Sequence, residues 1–313
     1  MEFCGFVESL RTEIEKRCGD GAEARIQNVM GNNGMVHTAI NIVKKGSRIS
    51  PMISLEAYYE NCVDGRMSLE ETAKEIYGIF TTEEVPEYAE VVLEDFGKLK
   101  DKVIYSLVDY GRNQGRLEDM PYIRYCDLAI VFSLLVGDYE NGRATAAIHN
   151  GHMEMWKVDT DTLYELAKAN TPRLFPAQLK SMAQMMRELA GGNPEIDWGE
   201  EFWDSLLDEM EFKPLYILTN CDGYKGAAAV LYEGIVKNFA ERLESDLFIL
   251  PSSIHEVLLV PCSGSVDAAN LGEMVTHINQ TEVPEEQVLS DSVYRYSRKT
   301  DQITMVYGTG ELE

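Results

Sequence analysis

The residues best placed for covalent chemistry lie at Pro251-Ser252-Ser253-Ile254-His255-Glu256, between the apolar runs 246–251 and 255–261. A serine hydroxyl attacks only when a base within hydrogen-bond reach takes its proton. Ser252 or Ser253 with His255 as base, and Glu256 or a distant acid as orienter, would form such a group. The chemistry would be that of a small-molecule hydrolase or transferase. Against it, no G-x-S-x-G elbow is present, and Pro-Ser-Ser is ordinary turn composition. Strand alternation puts His255, Val257 and Leu259 on one face and Glu256, Leu258 and Val260 on the other, which leaves His255 at the mouth of a hairpin. The turn reading outweighs the catalytic one.

Three further groups invite a chemical reading. His149, His152 and Glu154 in H-N-G-H-M-E offer imidazoles suited to zinc or copper. In an extended strand, however, their odd separation sends the two rings to opposite faces, and no further ligands stand at a recognisable spacing. No metal and no cofactor is expected. Cys221 follows an apolar strand, but a reactive thiolate needs a nearby cation and only Lys225 is close in sequence; Asp222-Gly223 reads better as a hairpin turn. Tyr110, Arg112, Arg116, Tyr122, Arg124 and Tyr125 concentrate guanidinium and phenol groups. Arg112 and Arg124 could fork onto an anion, although pairing with the chain's own carboxylates is the commoner use.

These residues need elements to hold them. Phe3, Phe6, Val7, Leu10 and Ile14 recur at helical steps, and Gly19 to Gly21 end that helix. Residues 25–30 and 35–43 flank Gly31-Asn32-Asn33-Gly34 as a hairpin. Ser68-x-x-Glu71 signs a capping box for a helix to about Phe80, and residues 84–98 carry a second helical pattern. From Val103 the chain turns to strands. Residues 127–136, 143–149 and 160–170 read as strand, strand, helix; 214–220, 226–233 and 234–243 repeat the order, and so do 246–251, 255–261 and 267–280. Pro172 and Pro176 should break the helix before them, with another over 177–189 and the linker signal Gly191-Gly192-Asn193-Pro194 beyond it. A last hairpin is expected over 292–297 and 302–307.

The fold class that follows is α+β, with an antiparallel or mixed sheet of strand-strand-helix units behind an N-terminal hairpin and helices. Residues 1–100 and 101–313 are its two parts, or stretches of one continuous domain. The 246–261 hairpin, apolar on both faces, should lie at the sheet's centre. No glycine-rich phosphate loop opens a helix, which removes the dinucleotide-binding and P-loop readings.

Charge narrows the function. Lys plus Arg total 28 against 53 Asp plus Glu, a formal charge of -25, so nucleic acid and anionic membranes would be repelled. Six scattered cysteines with no CxxC pair read as reduced thiols, and no segment has an apolar span of membrane length; a cytoplasmic protein is expected. Residues 195–211 hold eight acids and no base, interleaved with Trp198, Phe202, Trp203, Leu206, Leu207 and Met210 at helical spacing. Such a stretch docks on its own body or offers Trp198, Phe202, Trp203 and Leu206 to a partner protein.

Several blocks also carry a resemblance. GNNGMVHTAINIVKKGSRISPMISLEAYY, DLAIVFSLLV, WKVDTDTLYELAKANTPRL, LYILTN, GAAAVLYEG, SDLFILPSSIHEVLLVP and LSDSVYRY together resemble an uncharacterised bacterial family of unknown function, often encoded near mobile-element genes. The C-terminal part is also similar to a second such family. The resemblance implies no activity, cofactor or catalytic residue. Function therefore reads as a non-catalytic intracellular protein that binds an unknown protein partner. The alternatives are the hydrolase or transferase using His255 with Ser252 or Ser253, and an acidic nucleic-acid mimic.

Overall fold

The computed structural model describes residues 2–44, 52–82, 95–139, 142–182, 184–185, 215–251, 253–262 and 267–308. The chain is α+β, and the three sheets among the described residues are antiparallel throughout. It divides into two compact units, Met1–Leu99 and Lys100–Glu313.

In the first unit, α1 (Phe3–Cys18) buries Phe6, Val7, Leu10 and Ile14, the residues whose spacing predicted it. It stops at Gly19, whose φ of 56° is cheap only for glycine. Strands β1 (Ala22–Met30) and β2 (Val36–Lys44) pair as the expected hairpin, turning through Asn33 and Gly34 at φ 54° and 74°. A short β3 (Ile53–Ser54) adds to β2, followed by α2 (Glu56–Val63) and α3 (Leu69–Thr82). The capping box forms as read: Glu71 N–H donates to Ser68 Oγ at 3.2 Å, and Ser68 N–H to Glu71 Oε2 at 2.8 Å. Ala24, Ile40 and Ile42 from the hairpin meet Leu10 and Ile14 of α1 and Ala73, Ile76 and Phe80 of α3 in one core. Most of the helix expected over 84–98 lies outside the described residues; its end, Phe96–Leu99, is helical.

The second unit holds two sheets. In the smaller one, β4 (Val103–Asp109) runs along one side of the long β6 (Leu128–Tyr139); β5 (Tyr122–Tyr125) and β7 (Gly142–Ala147) share its other side. Helices α4 (Asn150–Trp156) and α5 (Thr160–Leu174) follow. The larger sheet has the order β13-β12-β10-β11-β9-β8, with β8 Ala177–Ser181, β9 Tyr216–Asn220, β10 Leu247–Leu250, β11 Val257–Pro261, β12 Val293–Ser297 and β13 Gln302–Tyr307. The β10–β11 hairpin is central, as its apolar character predicted, and all of β10 is buried. On one face Phe248, Leu250 and Val260 pack on Leu271 and Val275 of α7 (Ala268–Thr281), which follows α6 (Ile235–Arg242) in the chain.

Four expectations are corrected. Residues 226–233 are not a strand: Gly226–Leu231 forms a 3-10 helix, so the strand-strand-helix pattern holds in its first and third copies and breaks in the middle one. The cause is composition, since Ala227-Ala228-Ala229 favours helix and Gly226, with no Cβ, lets the backbone approach β4 and β9 closely. Residues 177–181 are strand rather than helix, because β8 gains a full ladder along β9. Pro172 does not end α5, which continues to Leu174. Finally, β7 stops at Ala147, which puts His149 at a helix start.

One edge explains how the second unit closes. Among the described residues the outer side of β4 meets no strand, and polar groups there are taken by α5: Asn170 Nδ2 donates to the carbonyls of Lys100 at 2.7 Å and Val103 at 3.1 Å, while Tyr105 N–H donates to Thr171 Oγ1 at 3.1 Å. Sealing an edge with side chains satisfies the backbone without recruiting another strand. Asn170→Ala should therefore cost about 1–3 kcal/mol, because it strands buried carbonyls. Urea unfolding of the variant against the parent measures this directly.

Candidate functional site

The hairpin turn was the leading catalytic candidate. Ser253 is buried, forms an isolated antiparallel bridge with Val288, and its Oγ accepts the backbone N–H of His255 at 3.0 Å. The His255 imidazole points elsewhere. Its Nδ1 lies 3.1 Å from Gly223 O and 3.3 Å from Lys225 N, so it donates to the first when protonated there and accepts from the second when not. No hydrogen bond joins a serine hydroxyl to this ring among the described residues, and Glu256 makes no polar contact among them. Ser252 lies outside the described residues, as do Trp198, Phe202, Trp203 and Leu206.

Below the turn, residue 226 is pinned. Thr219 Oγ1 donates to His255 O at 2.8 Å. A Cβ on Gly226 would meet Thr219 Oγ1 at 2.1 Å, His255 O at 2.5 Å and Asn220 N at 2.7 Å. Two of those atoms are backbone and cannot swing away. The loop 220–225 continues to Arg143, whose Nε lies 3.0 Å from Asp222 Oδ2 and whose guanidinium covers the Phe175 ring at 4.5 Å. The exposed Cys221 donates to Asp222, and burial followed by that carboxylate pushes its thiol pKa up, away from a reactive thiolate.

The arginines read as anion-binding are engaged within the chain. Arg112 reaches Asp291 Oδ2 at 3.0 Å and Asp109 Oδ2 at 3.8 Å; Arg124 donates to Cys126 O at 3.1 Å and lies over the Tyr110 ring at 4.8 Å. Beside them is a polar node no motif announced. Asp127 accepts from Ser290 Oγ at 2.7 Å, from Ser292 Oγ at 2.8 Å and from Tyr294 OH. Burial and the Asp127 charge drive the Tyr294 pKa far upward, so it remains a donor. Asn279 Nδ2 adds bonds to Ser290 O and Asp291 Oδ1.

His149 and His152 sit together, not on opposite faces. His149 caps α4, its N–H donates to His152 Nδ1 at 3.0 Å, and the ring centroids are 5.6 Å apart. His149 Nδ1 is 3.0 Å from Asp119 Oδ2, and His152 stacks on Trp156. Among the described residues no group of three His, Cys, Asp or Glu could hold a metal ion.

The feature missed from the sequence is a cleft. It encloses about 310 Å³ including its open mouth and is lined by Ile104, Tyr105, Ser106, Ser133, Thr145, Thr171, Phe175, Asn220, Tyr224 and Lys225. Ile104 pairs with Ser133, Ser106 with Val131, and Leu135 with Thr145, so Ser106, Ser133 and Thr145 share one face of the smaller sheet on adjacent diagonals. This stripe runs between two apolar clusters, Val108, Leu117, Met120, Ala129 and Val131 on one side and Ile104, Leu135 and Phe175 on the other. The signal was readable as a serine in the middle of each of two apolar strands, IYSLV and VFSLL. Which face those serines shared was not.

Fold and site together define an α+β protein with a hydroxyl-lined cleft beside its central antiparallel sheets. The chain belongs to a family of unknown function, DUF5688, which it matches over residues 3–298. No curated protein and no solved structure matches it.

Two outcomes follow. Gly226→Ala should destabilise the second unit by about 3 kcal/mol through backbone displacement, read by urea unfolding. Burial, with His149 adding to it, holds the His152 pKa below its ordinary value despite the opposing pull of Asp119. A histidine whose folded pKa is depressed contributes stability that is full above about pH 6.5 and is lost as pH falls below it. Melting temperature should accordingly drop on acidification from about pH 7 to 5. His152→Gln, which can still accept the His149 N–H, should flatten that slope.

Proposed function

We propose that this protein works by binding another protein, without covalent chemistry of its own. The observation that carries this reading is the charge balance. The formal charge is -25, and many of the described cations are already matched inside the chain, with Arg11, Arg17, Arg112, Arg143, Lys237 and Arg295 each paired to a carboxylate. The surplus is acidic and faces solvent, which suits a basic polypeptide partner. On its sequence alone, the stretch 195–211 adds what a binding face needs, aromatic anchors among carboxylates, with Trp198, Phe202, Trp203 and Leu206 as contact residues.

The turn at Ser253 supports the non-catalytic side of the reading, since a hydrolase or transferase would need His255 to leave Gly223 and turn toward a hydroxyl. A cytoplasmic setting fits the six cysteines, all free thiols. Among the described residues no helix is long and apolar enough to cross a membrane.

Affinity capture from native extract at low salt should retain a basic protein that elutes as salt rises, and Trp198→Ala with Trp203→Ala should abolish its retention. Retention that ignores both salt and the double substitution would refute the proposal.

A further inference from the structure

The cleft in the second unit is built differently from the rest of the surface. Ser106 and Ser133 are 5% and 8% exposed, and Thr145 is half-buried. None of the three hydroxyls has a hydrogen-bond partner among the described residues. Their neighbours are spoken for: Thr171 Oγ1 bridges Tyr105 N–H and Ala167 O, and the Asn220 side chain bonds Tyr224 O and Asp222 N–H. Neither serine oxygen is sealed from solvent, so each is open to water or to a guest in the cleft. Several hydroxyls open on one cleft offer a set of donors to a guest that comes from outside.

The lining specifies its charge. The chain has 53 acidic residues, yet no Asp or Glu lines this cleft, while Lys225 does. Lys225 forms no ion pair among the described residues; its ammonium rests 5.2 Å from the centroid of the Tyr224 ring. Its backbone is in the left-handed region at φ 51°, where the loop turns into the 3-10 helix. Hydroxyls and one ammonium can all donate, and a single unmatched cation favours an anion over a neutral guest. Phe175 and Ile104 add apolar lining, and because most of the space is open solvent at the mouth, only a small group can enter.

We propose that Ser106, Ser133, Thr145 and Lys225 form a binding site for a small oxyanion, a carboxylate or a phosphate group. This site does not depend on the protein-binding reading.

The test is an NMR titration of the full chain with acetate and with inorganic phosphate, using glycerol as the neutral arm. Saturable shifts at residues 104–106, 133, 145 and 220–225 with either anion, and none with glycerol, are expected; the stronger anion identifies the group. Ser133→Ala and Lys225→Gln should each weaken binding by about tenfold. Ser133→Ala should also melt close to the parent's temperature in the absence of anion, because the hydroxyl it removes bonds no other described part of the chain. The proposal is overturned by no saturable shift with either anion, by equal binding of glycerol, or by affinity unchanged in both variants. A Ser133→Ala protein that melts at a lower temperature would also overturn it, since the hydroxyl would then serve the fold through an ordered water.

Discussion

The second unit depends on one carboxylate. Asp127 stands at the turn into β6, and the three hydroxyls it accepts come from residues 163 to 167 positions later, at the entry to β12. Those bonds tie the start of the smaller sheet's longest strand to the larger sheet. A half-buried carboxylate is held best when its oxygens are satisfied, and three donors on two oxygens achieve that. The node extends to the β10–β11 turn, since Ile254 N–H donates to Gln287 O and Ser290 N–H to Pro251 O. The motif that looked most catalytic is therefore anchored to the same segment that feeds Asp127.

Sealing and opening are two sides of the same packing. The outer edge of β4 is closed by Asn170 and Thr171, and the small residues of the 3-10 helix let that helix lie against β4 and β9. Arg143 spans from Asp222 to Phe175. These contacts fill the space around the β4–β6–β7 face except at the serine-threonine stripe. A cleft results where the sheet presents hydroxyls in place of the branched aliphatic side chains on either side.

Local patterns were legible. The α1 stripe, the Ser68 capping box, the Asn33-Gly34 turn and the apolar 246–261 hairpin each depend on residues a few positions apart, and all four formed as read. The misreadings share a different origin. Ala177–Ser181 became strand because β9, beginning 35 residues after it ends, offers a ladder; Gly226–Leu231 became a 3-10 helix because its alanines had to fit against two strands. His149 and His152 met because a helix begins between them, and the alternation argument applied only to a strand.

By itself, the sequence determined the α+β class, the central hairpin and an acidic surface, because periodicity, turn dihedrals and net charge are properties of residue types and near neighbours. Tertiary structure alone decided which polar groups would be satisfied and which left open. Ser290, Ser292 and Tyr294 found Asp127, and Thr171 found the β4 edge, whereas Ser106, Ser133 and Thr145 were left facing a cleft. All are small polar residues of similar chemistry in the sequence. Strand register and long-range packing separate them, since a hydroxyl's role is set by whichever group folding brings within about 3 Å of it.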